Sequence, residues 1–135
     1  MERRAIIDIG SNSVRLIIYR IKGDSTFKVI NEAKRTIRLG SYLREDDYLS
    51  ESGLNILLKV LKVFKDICKR YEVLEIYVVA TEAIRRSINK YDVCNKIKLD
   101  LGLEVNILSG LEEAKYGYLA IKNSMLEKNA VLLDL

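Results

Sequence analysis

The sequence predicts a mixed α/β fold, in which a five-stranded sheet carries helices packed on it. Three apolar strand patterns come first, separated by short polar turns, and from about residue 50 helical and strand patterns alternate. Strands joined by tight turns pair antiparallel, whereas strands joined through a helix pair parallel. The sheet is therefore expected to hold an antiparallel three-stranded meander at one edge and parallel crossovers at the other.

The meander is predicted from strands at about residues 4–10, 14–21 and 26–39. β-Branched residues dominate the first two strands, and a Gly23-Asp24 turn precedes the third. In the third strand apolar and charged residues alternate, which is typical of a half-buried strand and places the apolar residues on one face. The apolar residues of this strand are Phe27, Val29, Ala33, Ile37 and Leu39.

A long amphipathic helix is predicted next, and the hydroxyl of Ser50 can cap its first turn. Apolar residues recur at every third or fourth position, opposite a stripe of lysine and aspartate, and a face this broad indicates packing on a sheet. The apolar positions are Leu54, Leu57, Leu61, Phe64 and Cys68.

The rest of the chain alternates strands and helices, and capping residues mark several of their ends. In order, these elements are a strand at 74–80, a short helix opened by Thr81, a helix at about 90–101 closed by Gly102, a strand at 104–108, a helix at 110–124 and a final strand AVLLDL. Three strands followed by this alternation is the element order of a ribonuclease H-like domain. No proline or low-complexity linker interrupts the chain, so 1–135 is predicted to be a single domain.

Composition excludes several kinds of site. The chain has no histidine, and its two cysteines, Cys68 and Cys94, fall in predicted helices, which excludes within it a zinc site, a Cys-His nucleophile and a Ser-His-Asp triad. Catalysis here has to use carboxylates, lysines, arginines or a metal. The apolar runs are short for a membrane span and the N-terminus lacks signal-peptide features, so we expect a cytoplasmic protein that does not contact a membrane.

The segment AIIDIGSNSVRLIIYR near the N-terminus carries the most informative pattern. An apolar strand contains one carboxylate, Asp8, which burial requires to have a metal, a donor or water as its partner. Gly10 lets the backbone approach a ligand, and the Ser-Asn-Ser run after it offers amides and hydroxyls to an anion. The pattern predicts an anion-binding turn beside a carboxylate; the alternative is an ordinary β-hairpin with small polar residues in its turn.

The last residues, VLLDL, repeat the form of AIIDI at the start of the chain. If the molecule is built from two similar halves, the chain holds the first half and one strand of the second, and the active cleft lies between them. Asp134 would then face Asp8 across that cleft; alternatively, it is only a polar residue near the C-terminus.

With VATEAIRRS at 79–87 and LSGLEEAKYGYLAI at 108–121 added, the chain resembles the exopolyphosphatase and guanosine pentaphosphate phosphatase (Ppx/GppA) family. RTIRLG at 35–40 and LSESGL at 49–54 extend the resemblance over essentially the whole length. It implies the actin-like ATPase superfamily fold, with two ribonuclease H-like lobes around a cleft that binds polyphosphate or a nucleotide polyphosphate. The chain matches the first lobe only.

The resemblance implies roles for particular residues. Asp8 and Asp134 would hold Mg²⁺, which prefers oxygen ligands and keeps several waters. Arg85 would clamp a phosphate; alternatively, it is a solvated helix arginine beside Arg86. The implied phosphate-binding loop is Gly10, Ser11, Asn12 and Ser13.

Two adjacent glutamates near the start of the last predicted helix are expected to differ in role. Ser109 and Glu112 have the spacing of a capping box, in which each side chain caps the other's backbone amide. The resemblance places the catalytic base at Glu113, which would align or deprotonate the attacking water. The helix dipole alone also favours an acidic residue in this first turn.

The chain departs from the family pattern at Lys115, where arginine is common, and at Ser41-Tyr42, where an acidic-glycine turn is usual. The glycine-rich loop that should follow Asp134 is absent, so the isolated chain is expected to be inactive. The choice between polyphosphate and guanosine pentaphosphate stays open, and no nucleic-acid polymer is expected as a partner. Two other functions are considered: an actin-like or sugar-kinase-like ATP-binding lobe, and a non-catalytic polyanion-binding module that self-associates as a homodimer.

Overall fold

A computed structural model describes residues 2–23 and 26–113 of the chain. Residues 110–113 are helical, and the predicted elements beyond them, together with Lys115 and Asp134, lie outside the described residues. The strands are β1 (Glu2–Ile9), β2 (Ser13–Ile21), β3 (Phe27–Thr36), β4 (Glu75–Ala80) and β5 (Val105–Ile107). The helices are α1 (Glu51–Arg70), α2 (Glu82–Arg86) and α3 (Lys90–Leu101), and a 3₁₀ turn spans Leu39–Tyr42.

The five strands form one mixed sheet in the order β3-β2-β1-β4-β5. β1 pairs antiparallel with β2, and β2 with β3, whereas β4 pairs parallel with β1 and with β5. This confirms the predicted meander at one edge and the parallel crossovers at the other. The parallel strands β1, β4 and β5 run in the same direction, so their carboxyl ends lie side by side. The segments that follow these strands are therefore close together.

The hydrophobic core lies between one face of the sheet and the helices α1 and α3. Ala5, Ile7 and Ile9 of the central strand are fully buried on that face. α1 packs against them through its predicted apolar stripe, of which Leu57, Leu61, Phe64 and Cys68 are buried. Burial of one large aliphatic side chain contributes about 1.5–3 kcal/mol, so this layer dominates the stability of the fold.

The predicted helix ends are largely confirmed. The Ser50 hydroxyl accepts a hydrogen bond from the Gly53 amide at 3.2 Å and caps α1, as expected. Gly102 ends α3 in the left-handed region at a φ of 69°. Thr81 precedes α2, but its hydroxyl does not cap the helix; it donates instead to the Ile9 carbonyl oxygen at 3.4 Å. None of the described helices combines the length and hydropathy needed to cross a membrane.

The third strand differs from its prediction in two ways. It ends at Thr36 rather than at residue 39, because Arg38 takes a left-handed φ of 52° and the chain turns into the 3₁₀ segment. The predicted shared face is also wrong. A bulge changes the β2–β3 register, so that Val29 stands opposite Tyr19 whereas Ala33 stands opposite Leu16, on the other face of the sheet.

Candidate active site

The turn between β1 and β2 is tight, and backbone hydrogen bonds from the segment after β3 hold it in place. The Gly10 amide donates to the Ser13 carbonyl oxygen at 3.0 Å, and a Cβ on Gly10 would lie 3.0 Å from that same oxygen, so a side chain there would need the turn to shift. The Asn12 carbonyl oxygen accepts from the amides of Ile37 and Arg38 at 3.1 and 2.8 Å. The segment after β3 therefore fixes the conformation of the turn.

The anchoring of this turn uses its carbonyl oxygens and leaves the amides of Ser11 and Asn12 out of it. The Ser11 carbonyl oxygen accepts from the Gly40 amide at 3.0 Å. Within the described residues the amides of Ser11 and Asn12 donate to no backbone carbonyl, which leaves them able to donate to a ligand. Fixed amides of this kind suit an anion, because no reorganisation is required when it binds.

The turn forms one wall of a cleft of about 290 Å³ at the carboxyl ends of β1 and β4. The cleft brings together every described residue of the predicted site except Arg85. Four further lining residues, which the sequence reasoning did not single out, are contributed by β2, β3 and the start of α2. The full lining is Asp8, Gly10, Ser11, Asn12, Ser13, Arg15, Lys34, Thr81, Glu82 and Glu113.

Asp8 lies at the base of this cleft, with 6% of its surface exposed. It stands opposite Arg15 in the β1–β2 ladder, so the carboxylate and the guanidinium project from the same face of the sheet. On the other side Asp8 is in register with Val79 of β4. The buried carboxylate thus has a cationic neighbour on β2 and an apolar one on β4.

Glu112 and Glu113 make different contacts, and the capping box predicted for Glu112 is confirmed. The Ser109 hydroxyl accepts from the Glu112 amide at 3.1 Å, and a Glu112 carboxylate oxygen accepts from the Ser109 amide at 3.1 Å, which is a complete capping box. Glu113 instead lines the cleft. Its Oε1 accepts from Arg85 Nη1 at 2.8 Å.

Arg85 is placed behind Glu113 and does not line the cleft. Its Nη1 also donates to the Leu108 carbonyl oxygen at 2.7 Å, so one guanidinium ties the end of β5 to the glutamate. The side chains of Arg85 and Glu113 are 30% and 20% exposed to solvent. This contact was not expected from the sequence, where the two residues are 28 positions apart and belong to different elements.

The donors of the cleft suit a hard cation such as Mg²⁺. Beside the cationic side chains of Arg15 and Lys34, the lining offers oxygen ligands, among them the hydroxyl of Thr81 and the carboxylates of Asp8, Glu82 and Glu113. Among the described residues no group of three His, Cys, Asp or Glu side chains is placed to hold a metal ion. Mg²⁺ commonly takes only one or two carboxylates and keeps several waters. Asp134, the second predicted ligand, lies outside the described residues.

The mixed sheet and the helices packed on it define a lobe of the actin-like ATPase fold. The model of the Ppx/GppA phosphatase family matches residues 17–135, and the chain belongs to that family. This confirms the family and the fold that the sequence motifs indicated.

Solved and curated relatives agree with this assignment. The Ppx/GppA family member of Aquifex aeolicus is 38% identical, with a TM-score of 0.85, over 93% of this chain and 40% of that one. A bifunctional 3-dehydroquinate synthase/phosphatase of Fusobacterium nucleatum is 30% identical over 98% of this chain and 21% of that protein. An exopolyphosphatase of Cytophaga hutchinsonii, 24% identical with a TM-score of 0.84 over 90% of this chain and 39% of that one, shares the fold. The chain therefore spans well under half the length of these relatives.

Proposed function

We propose that this chain is the first lobe of a two-lobe phosphatase that removes the terminal phosphate from inorganic polyphosphate or guanosine pentaphosphate. The observation that carries the proposal is the cleft itself. The turn after β1 and the carboxylate of Glu113, far apart in sequence, both line this one cleft. In this arrangement a bound phosphoryl group meets a carboxylate able to act on water.

The turn would bind the terminal phosphoryl group through the amides of Ser11 and Asn12, with the hydroxyl of Ser13 nearby. A water held by Glu113 attacks the terminal phosphorus; the new P–O bond forms as the bridging P–O bond breaks, and Glu113 accepts the proton of the water. The shortened polyphosphate leaves with the electron pair of the bridging oxygen. Arg85 holds one carboxylate oxygen of Glu113, which orients the other toward the water.

The charges of the cleft explain why a divalent cation would be needed. Its lining contains the three carboxylates of Asp8, Glu82 and Glu113 and two cationic side chains, Arg15 and Lys34. A polyanion entering alone would be repelled by the carboxylates. Asp8 and Asp134 would hold Mg²⁺, and the bound ion would neutralise charge on the phosphate oxygens.

The test uses Glu113→Gln in the natural protein that contains this sequence, with Glu112→Gln as its matched control. Glutamine keeps the capping function of Glu112 but cannot accept a proton at position 113. We expect Glu113→Gln to lower phosphate release from long-chain polyphosphate, assayed with Mg²⁺, by at least about 100-fold, in line with the loss of a general base. Binding of polyphosphate and the activity of Glu112→Gln should change little.

The same assay separates the alternatives. Guanosine pentaphosphate and ATP are tested beside polyphosphate, so that the preferred substrate is read directly. A near-normal rate in Glu113→Gln would remove Glu113 from the role of base. Transfer of a phosphoryl group from ATP to an acceptor, without phosphate release from either polyphosphate substrate, would favour a kinase-like lobe instead.

A further inference from the structure

A row of three charged side chains crosses the cleft face of the sheet. Asp8 on β1 stands opposite Arg15 on β2, and Arg15 stands opposite Lys34 on β3. Residues directly opposite each other in an antiparallel ladder project from the same face, and all three of these line the cleft. The row therefore crosses neighbouring strands from the buried carboxylate on β1 to the edge strand β3.

The sign of the charge changes along this row. It is negative at Asp8 and positive at Arg15 and Lys34, and two strand spacings of about 4.8 Å give the row a length of about 10 Å. A guanidinium can bind two phosphate oxygens at once, and a lysine acts as a mobile point charge at an exposed edge. A polyanion whose end lies at Asp8 would thus find consecutive cations as it extends over β2 and β3.

The other directions out of the cleft are less suitable for an anion. Toward β4 the neighbour of Asp8 is Val79, and Glu82 lies beyond it at the start of α2. Along β3, the next residue on the same face is Glu32, opposite Ile17. Among the described residues, an apolar side chain and two carboxylates therefore flank the row of cations and leave the β3 edge as the favourable exit.

We propose that Arg15 and Lys34 bind the phosphates that follow the terminal one, so that the tail of a linear polyphosphate leaves the cleft across β2 and β3. The proposal rests on the proposed function and adds to it the path of the substrate. Lys34 has the distal position, so it contacts only substrates long enough to span the row. It therefore favours long chains over short ones.

The test compares Lys34→Met with Lys28→Met in the same strand. Lys28 stands opposite Arg20, on the other face of the sheet, and is likewise exposed. Affinities for pyrophosphate and for long-chain polyphosphate are measured by titration calorimetry with Mg²⁺ at several salt concentrations. Urea unfolding of each variant shows that the fold is retained.

We expect Lys34→Met to weaken binding of the long chain by about 3- to 10-fold and to lower the salt dependence by about one released counterion. Pyrophosphate binding should not change, and Lys28→Met should alter neither affinity. An equal loss for both ligands, or no loss for the long chain, would overturn the path while leaving the phosphatase proposal in place. Failure of the unchanged protein to bind any polyphosphate would overturn both.

Discussion

The ion pair between Arg85 and Glu113 is the contact by which the structure positions the proposed base, and its strength can be measured without any substrate. We predict that Arg85→Met destabilises the fold and that most of the loss depends on Glu113. Methionine keeps much of the length and apolar surface of the arginine stem but removes both hydrogen bonds of Nη1, to Glu113 at 2.8 Å and to Leu108 at 2.7 Å. The neighbouring Arg86 provides a control in the same helix.

The expected magnitude follows from the geometry and exposure of the two contacts. A hydrogen bond to a charged group contributes about 1.5–3 kcal/mol when shielded from water. The side chains of Arg85 and Glu113 are 30% and 20% exposed, so screening lowers this value and we expect a loss of about 1.5–2 kcal/mol for Arg85→Met. Arg86 is 53% exposed and contacts Asp47 and Glu82 at 3.4 and 3.6 Å, so Arg86→Met should cost less than about 0.5 kcal/mol.

The assay is urea unfolding of the chain and its variants, combined in a double-mutant cycle with Glu113→Gln. At a typical slope of about 2 kcal/mol per molar urea, the predicted loss for Arg85→Met lowers the urea midpoint by about 0.75–1 M. Because most of this loss is expected to depend on Glu113, the coupling between positions 85 and 113 should be at least about 1 kcal/mol. A coupling below about 0.3 kcal/mol, or an Arg85→Met loss no larger than that of Arg86→Met, would refute the view that Arg85 positions Glu113.

Two further predictions concern packing and thiol chemistry. Gly53→Ala would place its Cβ 2.5 Å from Tyr42 Cβ, so we expect a loss of about 1–3 kcal/mol in urea unfolding. A Cβ at Gly110 would meet no atom of the described residues within 4 Å, apart from its chain neighbours and its own helix backbone, so Gly110→Ala should be neutral or stabilising; equal effects would contradict the packing. Burial raises the pKa of the Cys68 thiol to about 11 from its ordinary 9.0. Its contribution to stability is therefore complete below pH 9 and is lost as the pH rises toward 11, so unfolding at pH 10.5 should need less urea than at pH 8. Burial also raises the pKa of the Cys94 thiol, but this residue is only partly buried, so alkylation at pH 8 should modify Cys94 first; equal rates would contradict the burial of Cys68.

The elements that could be predicted from the sequence are those set by local pattern. The helix α1 has a long apolar repeat with a capping serine at Ser50, and the strand β1 is a run of β-branched residues, so both can be recognised without knowing their distant contacts. The bulge in β3 could not be found in this way, because Ile30 adds one residue to a strand that otherwise alternates. A single inserted residue moves the apolar positions before it to the opposite face.

The same distinction between local pattern and long-range contact decides which site residues could be predicted from the sequence. The turn that begins at Gly10 is a contiguous motif, so its residue types alone indicate an anion site. Arg15 and Lys34 could not be distinguished from ordinary outward-facing residues of alternating strands, since their common row with Asp8 exists only through the register of three strands. The contact of Arg85 with Glu113 likewise depends on the packing of the segments that follow β4 and β5.

β3 ends earlier than the sequence pattern predicts, and this difference affects the turn of the candidate site. If the strand had continued to residue 39, the amides of Ile37 and Arg38 would follow the alternating strand pattern rather than both donating to Asn12. The left-handed φ of 52° at Arg38, unfavourable by about 1 kcal/mol for a residue with a side chain, turns the chain directly after these two amides, and the Gly40 amide then donates to the Ser11 carbonyl oxygen at 3.0 Å. The chain accepts this local strain to hold the turn rigid, and a rigid turn presents its amides to phosphate without loss of conformational entropy on binding. The segment where a simple strand pattern fails is thus the segment that preorganises the proposed phosphate site.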